Sequence, residues 1–199
     1  RDVIDVNINA TLSTLAAAER WNARYVFASS PEAFGEEEVM PLSERTSTTF
    51  PSAHEHQRHS YGGSKYLGEV ALQHAVGAGL DARIVRPFNA YGSRLLGDAY
   101  GQVIGMMFQA VKLKQAVQIH GDGSQTRCFT HIDDVVNGFI LAGELDVGLL
   151  HGQPLAGCSF NIGSTEEISI AELARCIKAA VDDAGIEVIH SEGYYGDSK

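Results

Sequence analysis

Short β-rich apolar runs alternate with longer amphipathic ones along this chain, and that alternation constrains its fold more than any other feature. Residues 24–29, 81–88, 117–120, 158–162 and 186–189 have the length and residue types of buried strands. Between them lie helical patterns at 3–21, 61–76, 102–114, 135–141 and 170–183. In the first, Ile4, Ile8, Leu12, Leu15 and Ala16 recur at three- and four-residue spacings. In the last, Ser169 with Glu172 three residues on predicts a capping box. Helices interleaved with short apolar strands imply an α/β fold with a mostly parallel sheet. Ligands of such sheets bind beyond the carboxyl ends of the strands. Two of those ends are polar here, one running into Ser29-Ser30-Pro31 and the other into Arg86-Pro87-Phe88-Asn89.

The helical pattern at 61–76 opens with Tyr61-Gly62-Gly63-Ser64-Lys65. Residues four apart on a helix share a face, so the spacing holds a phenol beside an ammonium. A tyrosine with a pKa of about 10 is a poor base at neutral pH, but a lysine charge within about 4–6 Å favours the phenolate. Tyr61 is then a proton acceptor from an alcohol, with its pKa expected to be lowered. The bare pair equally describes an ordinary surface contact, and the rest of the chain has to decide between them.

The net charge of −10 argues against nucleic acid as a partner, because phosphate backbones need clustered Lys and Arg. No apolar run approaches the ~18 residues of a membrane span and no charged-then-apolar leader opens the sequence, so a cytoplasmic protein is expected. Cys128, Cys158 and Cys176 fit neither a disulfide framework nor a zinc set and are expected to be reduced and mostly packed. Residues 36–60 are polar, contain Pro41 and Pro51, and predict a long surface loop of the kind that forms lids. Its His54, His56 and His59 match no familiar ligand spacing and are expected to be solvated, with no metal. The sequence starts at Arg1 inside a helical pattern and stops after the glycine-rich 193–196, which reads as a fragment. No Gly-x-Gly-x-x-Gly turn after a strand occurs in it.

Five segments together resemble the NAD-dependent epimerase/dehydratase family, the extended short-chain dehydrogenases that act on nucleotide sugars. They are Ser29-Ser-Pro-Glu-Ala-Phe-Gly35, Tyr61-x-x-x-Lys65 with Gly68-Glu69, Arg86-Pro-Phe-Asn-x-Tyr-Gly92, Asp122-Gly-Ser-Gln-Thr-Arg127 and Phe160-Asn-Ile-Gly163. The resemblance implies a partial Rossmann-like doubly wound sheet with a smaller substrate-binding subdomain. Residues 1–92 and 125–163 would form the NAD-binding part, and 93–124 and 164–199 the substrate-binding part. In the family the glycine-rich phosphate loop precedes the segment matched here, and the 199 residues alone are expected to be inactive.

For matching positions the resemblance implies roles. Tyr61 would take a proton from a sugar hydroxyl while hydride passes from that carbon to NAD. Lys65 would tune Tyr61 and hold the nicotinamide ribose, and Ser30 would bond the same sugar oxygen. Asn7, Ser29, Pro87 and Phe88 would line the cofactor. Asn89 and Arg127 would hold the sugar diphosphate, as a guanidinium fork suits. A homodimer through the helices at 3–21 and 61–76 is also implied.

The reaction that follows oxidation turns on Pro31-Glu32. Relatives that eliminate water carry an Asp-Glu pair there, and Pro31 cannot protonate a leaving hydroxyl, so a 4,6-dehydratase is disfavoured. Epimerisation at C4 of a UDP-sugar is expected slightly ahead of decarboxylation of UDP-glucuronate, whose catalysts keep a glutamate at the position of Glu32. A regulatory protein that binds NAD without catalysis is the alternative of another class. It has no need of the Ser30, Tyr61 and Lys65 set.

Overall fold

The computed structural model describes residues 3–54, 59–97, 102–147, 152–181 and 187–192. The chain forms two compact units, Arg1–Phe88 with Asp134–Ile162 and Asn89–Asp133 with Gly163–Lys199.

The first unit is a parallel sheet with helices packed on it. A π-helical stretch, Ile4–Asn9, runs into α1 (Ala10–Trp21), so the helix expected over 3–21 is present with its first turns underwound. It ends at Asn22, whose left-handed φ of 48° lets its N–H reach Ala18 and Glu19. Strand β1 (Tyr25–Ala28) follows, then a short 3₁₀ turn, Pro31–Phe34, and helix α2 (Ser60–Gly77). Strands β2 (Ala82–Pro87) and β7 (Ser159–Ile162) complete a sheet of order β1-β2-β7, parallel throughout. Its core is Leu15, Phe27, Leu72, Ala82 and Ile84, with Leu72 and Ala82 fully buried. Truncating a buried Leu such as Leu72 costs ~2–5 kcal/mol.

Gly68 lets α2 lie on β1, because a Cβ there would stand 2.5 Å from the Phe27 ring. Arg83 is buried in β2. It is held by both Asp81 carboxylate oxygens and by the carbonyls of Ala142 and Leu145 at the end of α4 (Ile132–Glu144). Arg24 joins the same group through Asp81 and Asp146. Burial works against ionised Asp81, but hydrogen bonds from Arg24 and Arg83 prevail and hold its carboxyl below the usual range.

The second unit is built on a smaller core of Ile104, Met107, Ile119, Leu173 and Ile177. Its helices are α3 (Val103–Lys112) and α5 (Ile170–Ala180). The expected box is present as a cap: the Ser169 hydroxyl accepts the Glu172 N–H at 3.1 Å. Strands β4 (Val117–His120) and β9 (Val188–Ser191) pair in parallel, as do β3 (Ala90–Tyr91) and β6 (Thr130–His131). Strands β5 (Thr126–Cys128) and β8 (Glu167–Ser169) pair antiparallel. Residues 89–92, 125–133 and 163 fall in the second unit, whereas the resemblance implies them in the first.

The loop after the 3₁₀ turn is more tightly held than its composition implies. His59 is not a solvated loop histidine: its side chain is largely buried, 3.1 Å from Glu36 Oε1 and edge-on to Phe50. His56 lies outside the described residues, and so do Ile186 and 193–196. Glu44 accepts the backbone N–H of Asn161 at 2.9 Å on β7. Of the cysteines, Cys128 and Cys158 are half-buried, while Cys176 is exposed rather than packed. Among the described residues, no group of His, Cys, Asp and Glu is arranged to hold a metal, and no helix is long and apolar enough to cross a membrane. The helices expected to form dimer faces expose Ile4, Leu12 and Leu67.

Candidate active site

Because β1, β2 and β7 run parallel, their carboxyl ends share one edge of the sheet, where Ser29, Ser30, Pro87 and Phe88 emerge. Ser30 is the N-cap of the 3₁₀ turn and accepts the Glu32 N–H on its hydroxyl oxygen at 3.2 Å. That bond uses a lone pair of Ser30, and the hydroxyl also acts on the Tyr61 phenol as a hydrogen-bonding neighbour that pulls its pKa down. Tyr61 begins the first turn of α2, against the same 3₁₀ turn. A Cβ on Gly62 would stand 2.2 Å from the Glu32 carbonyl oxygen, so the backbones of Gly62 and Glu32 are in direct contact. Lys65, one helical turn on, donates to the Ala28 carbonyl at 3.0 Å. Its Nζ stands 5.4 Å from the centre of the Phe27 ring and 5.6 Å from that of Tyr61. The structure therefore brings Ser30, Glu32, Tyr61 and Lys65 together within the first unit.

The electrostatics differ from the sequence-based expectation. Tyr61 is pushed above its ordinary value, not below it: burial of the phenol is the larger cause and the nearby Glu32 charge adds to it, while the Ser30 hydrogen bond pulls the other way. Burial likewise lowers Lys65. The spacing argument captured the lysine but not the desolvation of the phenol or the carboxylate brought in from another segment.

The remaining candidates of this unit have defined partners. Asn7, on the π-helical stretch, donates to the Ser64 hydroxyl at 3.0 Å, and Ser64 donates in turn to the Tyr61 carbonyl at 2.6 Å. Asn7 thus reaches the first turn of α2. Ser29, expected to line a cofactor, is buried and gives its one hydroxyl proton to Glu69 at 2.5 Å. Glu69 is also paired with Arg86, whose guanidinium donates to both carboxylate oxygens at 2.7 and 2.6 Å. Glu69 and Arg86 are motif residues of the resemblance to which it gives no role. The available signal was a pair of charges in otherwise apolar helix and strand patterns.

Asn89 and Arg127 belong to the second unit. Asn89 has a left-handed φ of 36° and its amide donates to the Cys128 carbonyl at 2.9 Å. Both residues line a cavity of about 710 Å³ in that unit, together with Gln102, Gln118, His120 and Phe129. One guanidinium, several amides and an aromatic ring make a mixed polar and apolar lining. Such a cavity suits a ligand with an anionic portion and a flat ring.

The sequence and the fold were compared with known proteins. The chain is 32% identical over 185 residues to UDP-glucuronic acid decarboxylase 1 of Arabidopsis thaliana, a match covering 90% of this chain and 39% of that one. It is 34% identical over 176 residues to UDP-N-acetyl-alpha-D-glucosaminuronate decarboxylase of Bacillus cytotoxicus, covering 88% and 52%. The chain thus spans about two-fifths to half of the length of these relatives. Its fold superposes with a TM-score of 0.85 and 26% identity on the UDP-N-acetylglucosamine 4-epimerase of Methanobrevibacter ruminantium, solved in complex with UDP-N-acetylmuramic acid, over 98% of this chain and 58% of that one. The family profile described as "NAD dependent epimerase/dehydratase family" matches residues 1–163. With the Ser30, Tyr61 and Lys65 cluster at the end of a parallel sheet, this match makes the chain a member of the NAD-dependent epimerase/dehydratase family.

Proposed function

We propose that the full-length protein oxidises C4 of a UDP-linked sugar with NAD and, in its net reaction, decarboxylates UDP-glucuronate. The carrying observation is the cluster of Ser30, Tyr61 and Lys65 with the Glu32 charge beside the phenol. The residues at the sheet edge fit the nicotinamide end of NAD. An ammonium has three donors and the bond to Ala28 uses one, so Lys65 has the chemistry to hold ribose hydroxyls while facing Tyr61. Pro87 and Phe88 end the neighbouring strand and supply an apolar wall. When bound, NAD supplies a hydride acceptor and a positive charge that favours the phenolate.

Ser30 donates to Tyr61 and stabilises its anion, so that the phenolate takes the O4 proton. In a 4-keto uronic acid the C5–C6 bonding pair moves into the carbonyl as carbon dioxide leaves, and the resulting enolate is protonated at C5. The C5 proton comes from solvent water, which the ionised Glu32 beside the phenol orients as a hydrogen-bond acceptor. The C4 carbonyl is then reduced again, and Tyr61 in its protonated state returns the proton to O4. Arg127 and Asn89 hold the diphosphate in the cavity of the second unit.

This reading reverses the order expected from the sequence, where epimerisation stood slightly ahead. Two curated relatives at 32% and 34% identity decarboxylate UDP-uronic acids. Epimerisation remains the second reading because of the fold match to a 4-epimerase.

The test is to incubate the full-length protein with UDP-glucuronate, UDP-glucose, UDP-galactose and dTDP-glucose and follow the products by mass and sugar NMR. Loss of carbon dioxide from UDP-glucuronate is expected. Interconversion of UDP-glucose and UDP-galactose with UDP-glucuronate untouched would install the epimerase reading. Loss of water from dTDP-glucose would overturn the argument from Pro31.

A further inference from the structure

We infer that Glu69 is a positioning residue for the reaction, acting through Ser29 and Arg86 to hold the segment that presents Ser30 to Tyr61. This inference rests on the proposed C4 oxidation, but its geometry stands apart from the choice of sugar. Glu69 and Arg86 are both nearly inaccessible, with side chains 8% and 7% exposed. Burying such a pair costs each ion its hydration, which good geometry only offsets; well-packed apolar side chains in its place are often neutral or stabilising. A packing role alone therefore does not account for the pair.

What the pair does is visible in its contacts. One carboxylate oxygen of Glu69 accepts both the Ser29 hydroxyl at 2.5 Å and Arg86 Nε at 2.7 Å, and the other accepts Arg86 Nη2 at 2.6 Å. Arg86 lies over the Phe34 ring, 4.6 Å from its centre, a cation–π contact of the kind desolvation strengthens. Ser29 and Phe34 are the two ends of the segment that carries Ser30 and Glu32. Both ends are tied to one ion pair, and Glu69 sits on α2, the helix that also carries Tyr61. The base and its partner segment are thus held in one closed set of contacts. Loss of the Ser29 tie frees the end of β1 next to Ser30, whose hydroxyl then has no fixed direction toward the phenol.

The full-length enzyme with Ser29→Ala tests this with the ion pair left intact, and Glu69→Gln tests it with the shape kept and the charge removed. For Ser29→Ala, kcat is expected to fall about tenfold with KM and NAD content little changed, the signature of an interaction made in the transition state. The limb of the kcat–pH profile that reports Tyr61 deprotonation is expected to move to higher pH, because a lost donor destabilises the phenolate. The charged groups facing Tyr61, Lys65 on its own helix and Glu32 on the 3₁₀ turn, are untouched by this change. Ser30→Ala should move the same limb in the same direction, and Ser29→Ala with Ser30→Ala should add nothing further. Additive effects, or a folded Ser29→Ala enzyme with an unmoved limb, would overturn the inference. A crystal structure of Ser29→Ala gives a readout free of turnover. Compared with a crystal structure of the parent, the Ser30 Oγ to Tyr61 Oη separation should be longer there, and an unchanged separation refutes the role even if the C4 reading itself fails. Should Glu69→Gln not fold, Ser29→Ala carries the decision.

Discussion

In the proposed reaction the chemistry depends on Tyr61, and its surroundings set the problem it has to solve. Partial burial and the Glu32 charge push the phenol's pKa up, against the pull of Ser30. Tyr61→Phe keeps the ring and removes the transferable proton. In the full-length protein it should retain NAD while turnover drops by ~10²–10⁴-fold, measured by product formation alongside the NAD content of the purified enzyme. Turnover within a few-fold of the parent would mean another group moves the proton. The identity of Tyr61 and Lys65 as partners was legible from four-residue spacing. The sign of the Tyr61 shift was not, because desolvation and Glu32 enter through packing between segments distant in sequence.

At the scale of elements, the join between α2 and the 3₁₀ turn sets the geometry of the site. Gly62 and Gly63 are neighbours in one helix and identical in sequence terms, yet a Cβ would meet the Glu32 carbonyl at 2.2 Å in the first case and nothing within 4 Å in the second. Gly63→Ala should therefore be tolerated and add ~0.5–1 kcal/mol through helix propensity. Gly62→Ala should cost ~1–3 kcal/mol and push the Glu32 segment from Tyr61. Thermal unfolding of the two variants, with activity alongside, checks the contrast, and equal effects would contradict the contact. The longer elements β1, α2, β2 and β4 are legible because each carries enough residues for a hydrophobic period to show. Strands of two or three residues such as β3, β5, β6 and β8 carry no period, and the boundary between the units falls among them. The charges of Glu69 and Arg86 stand out in the sequence, but their pairing does not, because it joins residues 17 apart whose meeting depends on how α2 lies on β2.

For the whole molecule, the two units divide the work in the proposed reaction. The first holds the proton-transfer residues at the edge of a parallel sheet, and the second holds the cavity with Arg127 and Asn89. The chain covers about two-fifths of the Arabidopsis relative, and no glycine-rich turn of the kind that grips a dinucleotide pyrophosphate occurs in its sequence. The account's central claim is that hydride leaves C4 of the sugar and returns to it, whichever reaction intervenes. UDP-glucuronate deuterated at C4, given to the full-length enzyme in ordinary water, tests it directly. The account predicts slower turnover than with the unlabelled sugar and a product that keeps its deuterium at C4. Deuterium lost to solvent from C4, or turnover indifferent to the label with no transient reduction of NAD, would contradict it.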